Sequence, residues 1–486
     1  MKTSLTALTS LLLIGACGAP ANTATDSEPA VTAETAEITY TAEDIAAETE
    51  AINLWFEEKF QESVARSPMT KTYLGFKDED YGRWDDPSMA NAERELEIQR
   101  AVVAEMQDTF TYEKLDQQAK LSWRIAEYQL DRAETDWPFR YHSYTFNQMF
   151  GAQSRIPAFL INQHRIATPD DARDYISRLN GVEAYLGGAI EIAEESARRG
   201  IQPPTFVYEY VLSDSKNIIA GYPFEGRPSD PSPIYEDIKG KIDALVSNGS
   251  LSEPEATSLM VQASEAMLDS VGPAFGQLIT MLETQQALAN EDDGVWKLPD
   301  GEAYYTARLA AQTTTDMTAS EIHDLGLAET ERIHNEMRTI METVGFEGDL
   351  QDFFEFMRSG EQFYLPNTDE GRAEYITGAI DIIAGMEARL PEVFNRFPKA
   401  DMIVKAVEPF REKSAGKAFY QRPSADGSRP GTYYANLYRM EDMPTYQMEA
   451  LAFHEGTPGH HMQIAIQQEL EGVPNFRKFS GVTAYS

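Results

Sequence analysis

A cluster of histidines near residue 460 constrains the fold of this chain more than any other stretch. Residues 451–463 have the sequence Leu-Ala-Phe-His-Glu-Gly-Thr-Pro-Gly-His-His-Met-Gln and hold three of the seven histidines. Neutral imidazoles bind Zn²⁺, and a carboxylate beside them can take a proton from water. In the common motif His-Glu-x-x-His, a helix places both imidazoles on one face about 6 Å apart. Here four residues separate Glu455 from His460, so that motif is not matched.

An undistorted helix would place neither later histidine well. His460 would point roughly 120° away from His454, and His461 would share its face but lie roughly 10 Å further along the axis. The intervening Gly-Thr-Pro-Gly favours a looped-out turn, because Pro458 cannot donate a helical hydrogen bond and glycine accepts unusual dihedral angles. Such a turn could return His460 to His454. Spacing alone leaves two interpretations open: a metal site, or a kinked helix with a histidine-rich turn facing solvent.

The same stretch resembles a known family. His-Glu-Gly-Thr-Pro-Gly-His-His-Met-Gln is similar to the signature H-E-x-x-P-G-H-H-x-Q of a bacterial family known as domain of unknown function 885. Residues 322–333 and 430–437 also resemble that family, and the likeness extends from about residue 45 onward. The family resembles helical zinc metallopeptidases of the gluzincin type. The resemblance implies a mainly α fold, a large multi-helical zincin-like body with a small β element next to the active-site helix.

The resemblance also implies roles for individual residues. His454 and His460 would be ligands of a Zn²⁺ cofactor, and Glu455 would be the general base or acid. His461 would contact a metal ligand without binding the metal itself, or it would face the substrate. The residues alone leave open whether His460 or His461 is the second ligand, and the resemblance favours His460. A third ligand is implied too, a glutamate on the next helix. We expect it beyond Ser486, so we expect the chain as given to be inactive.

The charge of the chain excludes two kinds of partner. The 486 residues carry 79 acidic and 41 basic side chains, a formal net charge of −38. Binding to nucleic acid or to anionic lipid needs a basic surface. We therefore expect no nucleic-acid partner and no electrostatic docking on a membrane, and we interpret the acidic surface as a solubilising coat.

The N-terminus has the pattern of an exported lipoprotein. Residues 1–16 combine an early lysine, a short apolar core and small residues, as in a secretory signal peptide. Cys17, the only cysteine, stands where a lipobox would place its lipidated residue; a plain signal peptide is the alternative. Residues 17–40 are rich in Ala, Thr, Pro, Glu and Ser and predict a flexible tether. With Gly18 next, we expect a lipid-anchored protein of the cell envelope, at the outer membrane and facing the periplasm.

Residues 41–486 are predicted to form one helical domain. The strongest helix start is at Thr168, where an N-cap precedes Pro169 and an acid stands at Asp171. Apolar residues then recur at steps of three and four up to the stop at Gly200. Other helices are predicted at about 41–56, 91–135 with a break near 109–112, 233–246, 253–290, 319–344, 349–358, 370–390 and 446–470.

Residues 432–438 are the best strand candidate, because aromatic and β-branched side chains suit a pleated surface. A strand just before the histidine helix could offer a free edge to an extended peptide. Tyr433, Tyr434 and Asn436 are therefore predicted to bind substrate. For each of them the alternative is a buried position at the end of a strand.

The other histidines have simpler interpretations. His323 and His334 would lie on one face of a helix but roughly 16 Å apart, so they cannot share a metal. His142 and His164 stand among aromatic or polar neighbours and are predicted to pack or to form hydrogen bonds.

Three classes of function follow from these patterns. The first is zinc-dependent hydrolysis of peptide bonds by a cell-envelope lipoprotein, with Glu455 activating a zinc-bound water and a peptide as substrate. The second is a non-catalytic, anchored binding lipoprotein that keeps a peptidase-like helical fold. The third is a helical scaffold in which the histidine turn is only structural. In all three, contact with a membrane is expected through the lipid anchor alone.

Overall fold

The computed structural model describes residues 39–479. Residues 1–38 and 480–486 lie outside the described part. The predicted signal peptide, the predicted lipidation of Cys17 and nearly all of the tether therefore lie outside the described residues. Within 39–479, no helix has both the length and the apolar content that a membrane span requires.

The described chain begins with helices that enclose an aromatic core. These are α1 (Ala42–Ala65), α2 (Pro68–Leu74), α3 (Met89–Thr109) and α4 (Gln117–Asp136). Trp55 of α1 meets Phe110 edge to face with 5.7 Å between ring centroids, and Trp123 of α4 is buried in the same core. Asp116 caps α4 by accepting a hydrogen bond from the backbone N–H of Ala119 at 2.8 Å. The predicted break between α3 and α4 is confirmed.

The largest core lies among the next helices. They are α5 (Ala152–Asn162), α6 (Pro169–Arg198), α7 (Thr205–Ile218), α8 (Pro233–Ser247), α9 (Glu253–Ala266) and α10 (Gly272–Gln286). The predicted cap of α6 is confirmed: the N–H of Asp171 donates to Thr168 Oγ1, and the N–H of Thr168 donates to Asp171 Oδ2. The single helix predicted over 253–290 is divided by a π-helical segment, Met267–Val271, between α9 and α10.

Four helices of the next section lie more at the surface. They are α11 (Gly301–Thr313), α12 (Ala319–Val344), α13 (Leu350–Ser359) and α14 (Asp369–Glu387). A capping box at Thr318 and Glu321 starts α12, and Gly345 ends it in the left-handed conformation, as typical helix boundaries do. The predicted bounds of α12 are confirmed.

A small sheet follows α14. Its strands are β1 (Met402–Ala406), β2 (Ala418–Gln421) and β3 (Gly431–Ala435), in the order β1-β3-β2. β3 pairs in parallel with β1 and antiparallel with β2. The predicted strand is therefore confirmed as β3, but the predicted free edge is wrong, because β3 is the central strand and both of its edges are occupied.

The histidine segment leaves the sheet as two helices. α15 (Thr445–Glu455) and α16 (His460–Gln468) are separate elements, and α17 (Asn475–Phe479) closes the described chain. α15 packs against α14, and the core between them includes buried Tyr375, Ile383 and Tyr433. The fold is mainly helical with a small β element beside the histidine segment, as the sequence predicts.

Candidate active site

The turn between α15 and α16 is a tight reversal built on two glycines. A Cβ on Gly459 would lie 2.0 Å from the carbonyl oxygen of His454, and one on Gly456 would lie 2.6 Å from that of Ala452. No side chain beyond hydrogen fits at either position. The N–H of Gly456 donates to the Ala452 carbonyl at 2.9 Å, and the N–H of His461 donates to the Gly456 carbonyl at 3.1 Å. The looped-out turn predicted from the glycines and proline is confirmed.

This reversal brings two imidazoles together. The rings of His454 and His460 lie 4.7 Å apart between centroids and meet edge to face at 79°. His454 is exposed and His460 is half-buried, so both rings are accessible from outside. Burial lowers the pKa of His460, and the charge of His454 lowers it further. A neutral ring with a free lone pair is the form that binds a metal ion.

Glu455 lies on the inner side of the same turn. Its side chain is buried, and its Oε2 has no hydrogen-bond partner in residues 39–479. Burial raises the pKa of Glu455, and the nearby His454 charge opposes that rise. The hydroxyls of Tyr375 and Tyr433 are buried beside each other; burial raises the pKa of Tyr433, and the neighbouring Tyr375 and the Glu455 charge raise it further. An unsatisfied buried carboxyl group with a raised pKa is suited to proton transfer.

His461 differs from its neighbour because both of its ring nitrogens are already bonded. Nε2 lies 3.1 Å from the carbonyl oxygen of Ala400, which can only accept, so Nε2 carries the proton. Nδ1, 3.0 Å from the Tyr420 hydroxyl, is then the acceptor. A Cβ on Gly431 would lie 2.5 Å from that hydroxyl, so glycine leaves room for this contact. With no free lone pair on His461, the accessible pair of rings is His454 and His460.

The predicted substrate residues lie in β3 or directly after it. Tyr433 and Tyr434 are both buried in β3, and the ring of Tyr434 stacks on Phe419 with 4.8 Å between centroids. Asn436 donates from Nδ2 to the carbonyl oxygens of Glu412 (2.7 Å) and Ala415 (3.0 Å). These contacts position the chain ahead of α15. Substrate binding by these three residues and by His461 stays a prediction.

The predicted metal site can be compared with the described residues. Within 39–479, no three His, Cys, Asp or Glu side chains are grouped so that they could hold a metal ion. The two rings of His454 and His460 fit as ligands, since both are accessible and adjacent. Catalytic zinc sites typically have three protein ligands. A third ligand for such an ion stays a prediction.

Sequence reasoning missed three residues that shape this region. Tyr420 of β2 fixes His461, and its ring is stacked over His460 with 6.3 Å between centroids. Tyr375 of α14 and Thr457 of the turn are both buried beside the histidine segment. Tyr375 and Tyr420 are distant in sequence from the motif, and only the packing of α14 and β2 reveals them.

The fold and this turn together define a class: a mainly helical protein in which a three-stranded sheet precedes a paired-histidine turn. The model of the family described as "Bacterial protein of unknown function (DUF885)" matches residues 68–486, and the chain belongs to that family. The family resemblance seen in the histidine signature is thereby confirmed. No curated protein matches the chain.

Two solved structures share the fold. The crystal structure of a "putative lipoprotein" from Colwellia psychrerythraea has a TM-score of 0.74 at 21% sequence identity, covering 90% of this chain and 74% of that chain. A "putative lipoprotein of unknown function" from Shewanella oneidensis has a TM-score of 0.55 at 16% identity, covering 88% of this chain and 74% of that one. At these identities the likeness shows the fold.

Proposed function

We propose that this protein hydrolyses peptide bonds with the help of a zinc ion held by His454 and His460. The observation that carries the proposal is the meeting of these two rings at 4.7 Å between centroids, directly beside a buried glutamate. The sequence spacing does not bring the rings together on a straight helix; the glycine turn does. A structural kink alone would not require two accessible imidazoles at its tip.

Each residue has a separate task in the proposed reaction. His454 and His460 would hold the ion, which when bound would polarise water and the substrate carbonyl group. Glu455 would take a proton from the attacking water, whose oxygen bonds to the carbonyl carbon. The carbon–nitrogen bond then breaks, and the proton passes from Glu455 to the departing amine. The products are a carboxylic acid and an amine, so the atoms balance.

The surroundings of Glu455 support this role. Its raised pKa makes the carboxylate a stronger base than an exposed glutamate, and burial is the main cause. His461, fixed by Tyr420 and Ala400, holds the start of α16 and so keeps His460 in place. This arrangement resembles the outer-shell support that metal-binding histidines commonly receive.

Substitution of Glu455 by glutamine tests the role of its carboxylate. Glu455→Gln removes the proton acceptor but keeps the shape of the side chain, so hydrolysis of a peptide by the natural full-length protein is expected to fall by at least about 100-fold. Bound zinc, measured by elemental analysis, is expected to remain. The matched control is Glu449→Gln, which changes an exposed glutamate on the same helix and is expected to keep full activity.

Unchanged turnover in Glu455→Gln would rule out this role. Loss of zinc together with loss of turnover would instead make Glu455 a ligand or a structural support.

A non-catalytic binding lipoprotein is the second candidate. The observation in its favour is that no three His, Cys, Asp or Glu side chains of residues 39–479 are grouped to hold a metal ion, whereas catalytic zinc usually has three protein ligands. It predicts peptide binding without turnover in the natural full-length protein. Turnover that Glu455→Gln abolishes would exclude it.

We further propose that the protein is anchored in the cell envelope through lipidated Cys17, at the outer membrane and facing the periplasm. Support comes from the lipobox-like N-terminus and from the two fold neighbours, both described as putative lipoproteins. Incorporation of labelled fatty acid that is abolished by Cys17→Ala is the expected result. Equal labelling of both proteins would contradict the anchor.

A further inference from the structure

A large cavity adjoins the proposed active site. It has a volume of about 690 Å³ and lies among α1, α2, α3, α4, β2 and α17. Aromatic and aliphatic side chains form much of its wall, including Phe56, Phe60, Val102, Phe476 and Phe479. Such a volume suits a small-molecule ligand or one or two residues of a peptide.

The charge of this cavity is opposite to that of the chain. Lys59, Arg422 and Arg429 line it, and among the described residues no aspartate or glutamate does. The chain as a whole has 79 acidic and 41 basic residues, so a purely basic lining is not what its composition would give. Charge complementarity therefore favours an anionic ligand.

The three cations are not equivalent. Lys59 is paired with Glu105 at 3.2 Å and with Glu62 at 3.5 Å. Among the described residues, no carboxylate lies within ion-pair distance of Arg422 or Arg429; the charge of Asp426 acts on Arg429 from further away. Two charges in this cavity are therefore available to a ligand.

The two arginines are held in place by neutral groups. Arg422 donates from Nη1 to the carbonyl of Phe479 at 3.2 Å, and Arg429 donates from Nη2 to that of Tyr73 at 3.2 Å. The Nε of Arg429 is buried without a partner in the described chain. A guanidinium left with unused donors presents the geometry that binds a carboxylate through two hydrogen bonds.

Tyr420 connects the cavity to the histidine turn. Its side chain lines the cavity, its hydroxyl bonds His461 at 3.0 Å, and its ring is stacked over His460. The cavity and the histidine turn therefore share one side chain, that of Tyr420.

We propose that this cavity binds the C-terminal carboxylate and apolar C-terminal side chain of a peptide. Arg422 and Arg429 bind the carboxylate, and the phenylalanine-rich wall takes the side chain. This inference rests on the proposed function and makes the protein a hydrolase that acts at the free C-terminal end of short peptides rather than inside long chains.

The test compares benzoyl-Gly-Phe with its C-terminal carboxamide. Binding is measured by calorimetry on the Glu455→Gln protein, so that turnover does not interfere. The free acid is expected to bind at least about tenfold more tightly than the amide, because charge-assisted hydrogen bonds are lost in the amide. Arg422→Gln and Arg429→Gln are each expected to abolish that preference.

Lys59→Gln is the matched control. It removes a cation from the same cavity, but one already neutralised by glutamates, so the preference is expected to stay within about threefold. Arg429→Lys keeps the charge and is expected to retain part of the preference, which separates loss of the charge from loss of folding. Unchanged melting temperatures identify the variants that are folded.

The outcomes separate this inference from the proposed function. Equal binding of acid and amide by the folded protein would overturn carboxylate recognition, whether or not either peptide is hydrolysed. If the protein prefers the free acid but hydrolyses neither peptide, the proposed peptidase activity is contradicted and the proposed carboxylate-binding site is retained. Binding of decanoate in place of the peptide acid would show a fatty-acid site and overturn the peptide assignment.

Discussion

Two buried clusters of this protein each contain a histidine, and they differ in how completely their polar atoms are bonded. In the cluster around Arg178, that side chain donates to Thr72 Oγ1 (2.7 Å), His164 Nδ1 (2.9 Å) and the Arg83 carbonyl (3.1 Å). His164 uses its other nitrogen on the carbonyl of Asp171 at 2.9 Å. The Arg178 cluster is closed, and its hydrogen bonds join α6 to α2, to the segment after α2 and to the segment between α5 and α6.

The histidine turn is different. Glu455 has a buried oxygen without a hydrogen-bond partner in the described chain. Such a group costs about 1–3 kcal/mol when left unbonded. Even so, His461 in the same turn is bonded as fully as His164. A buried histidine is therefore not by itself the sign of a functional site. The histidine turn is distinguished by a buried carboxylate oxygen without a hydrogen bond, next to two accessible imidazole rings.

The largest loss of stability is expected when the hydrogen bonds of the Arg178 cluster are removed. Arg178→Ala leaves Thr72 and His164 without their donor and creates a cavity among Phe159 and Tyr81, whose rings lie 4.7 and 5.2 Å from the guanidinium carbon. The free energy of unfolding is expected to fall by about 3–5 kcal/mol. Denaturant unfolding followed by circular dichroism measures it.

The control is Arg332→Ala, an exposed arginine on α12 that pairs with Glu329 and Glu336. Its expected effect is much smaller than that of Arg178→Ala, because exposed ion pairs contribute little to stability. A loss of less than 1 kcal/mol in Arg178→Ala would contradict the closed-cluster interpretation.

An intermediate case is Asp214, which has one bonded and one unbonded carboxyl oxygen. Oδ2 accepts from the Ser414 hydroxyl at 2.8 Å, while Oδ1 has no partner in residues 39–479. Burial raises the pKa of Asp214 from 3.8 to about 6, and the neighbouring Ser414 and Gln153 side chains oppose that rise. Asp214 lies outside the histidine turn, so it tests whether an unbonded oxygen alone has a measurable cost.

Asp214→Asn is expected to stabilise the protein in a pH-dependent way. Because the folded pKa is raised, the wild-type contribution is full below pH 4 and is lost as the pH rises through about 6. The gain from asparagine should therefore be absent near pH 4 and reach at most about 3 kcal/mol above pH 7. Unfolding curves at pH 4 and 7.5 measure it. A gain independent of pH would show that the carboxylate is not destabilised by burial.

Much of the helical fold is predictable because its signals are local. The cap at Thr168 and the capping box at Thr318 set the starts of α6 and α12 within one residue, since each satisfies backbone groups that the sequence itself supplies. The break between α15 and α16 is equally local, because Gly456 and Gly459 exclude any other residue there.

The site is only partly predictable because its remaining contacts are long-range. The two hydrogen bonds of the His461 ring are made with Tyr420 and Ala400, which are 41 and 61 residues away in sequence. The burial of β3 between two partners depends on β1, which the sequence did not predict. Neither pairing leaves a pattern within a single helix or strand.

Zinc binding by the histidine turn tests the central claim most directly. The measurement is an isotherm for zinc with the natural full-length protein and its variants His454→Gln, His460→Gln and His461→Gln. One zinc per chain is expected, with affinity lost by more than about 100-fold in the first two variants and by at most about 10- to 100-fold in the third. Equal losses at His460 and His461, or no zinc bound by the wild-type protein, would contradict the assignment of the accessible pair as the metal ligands.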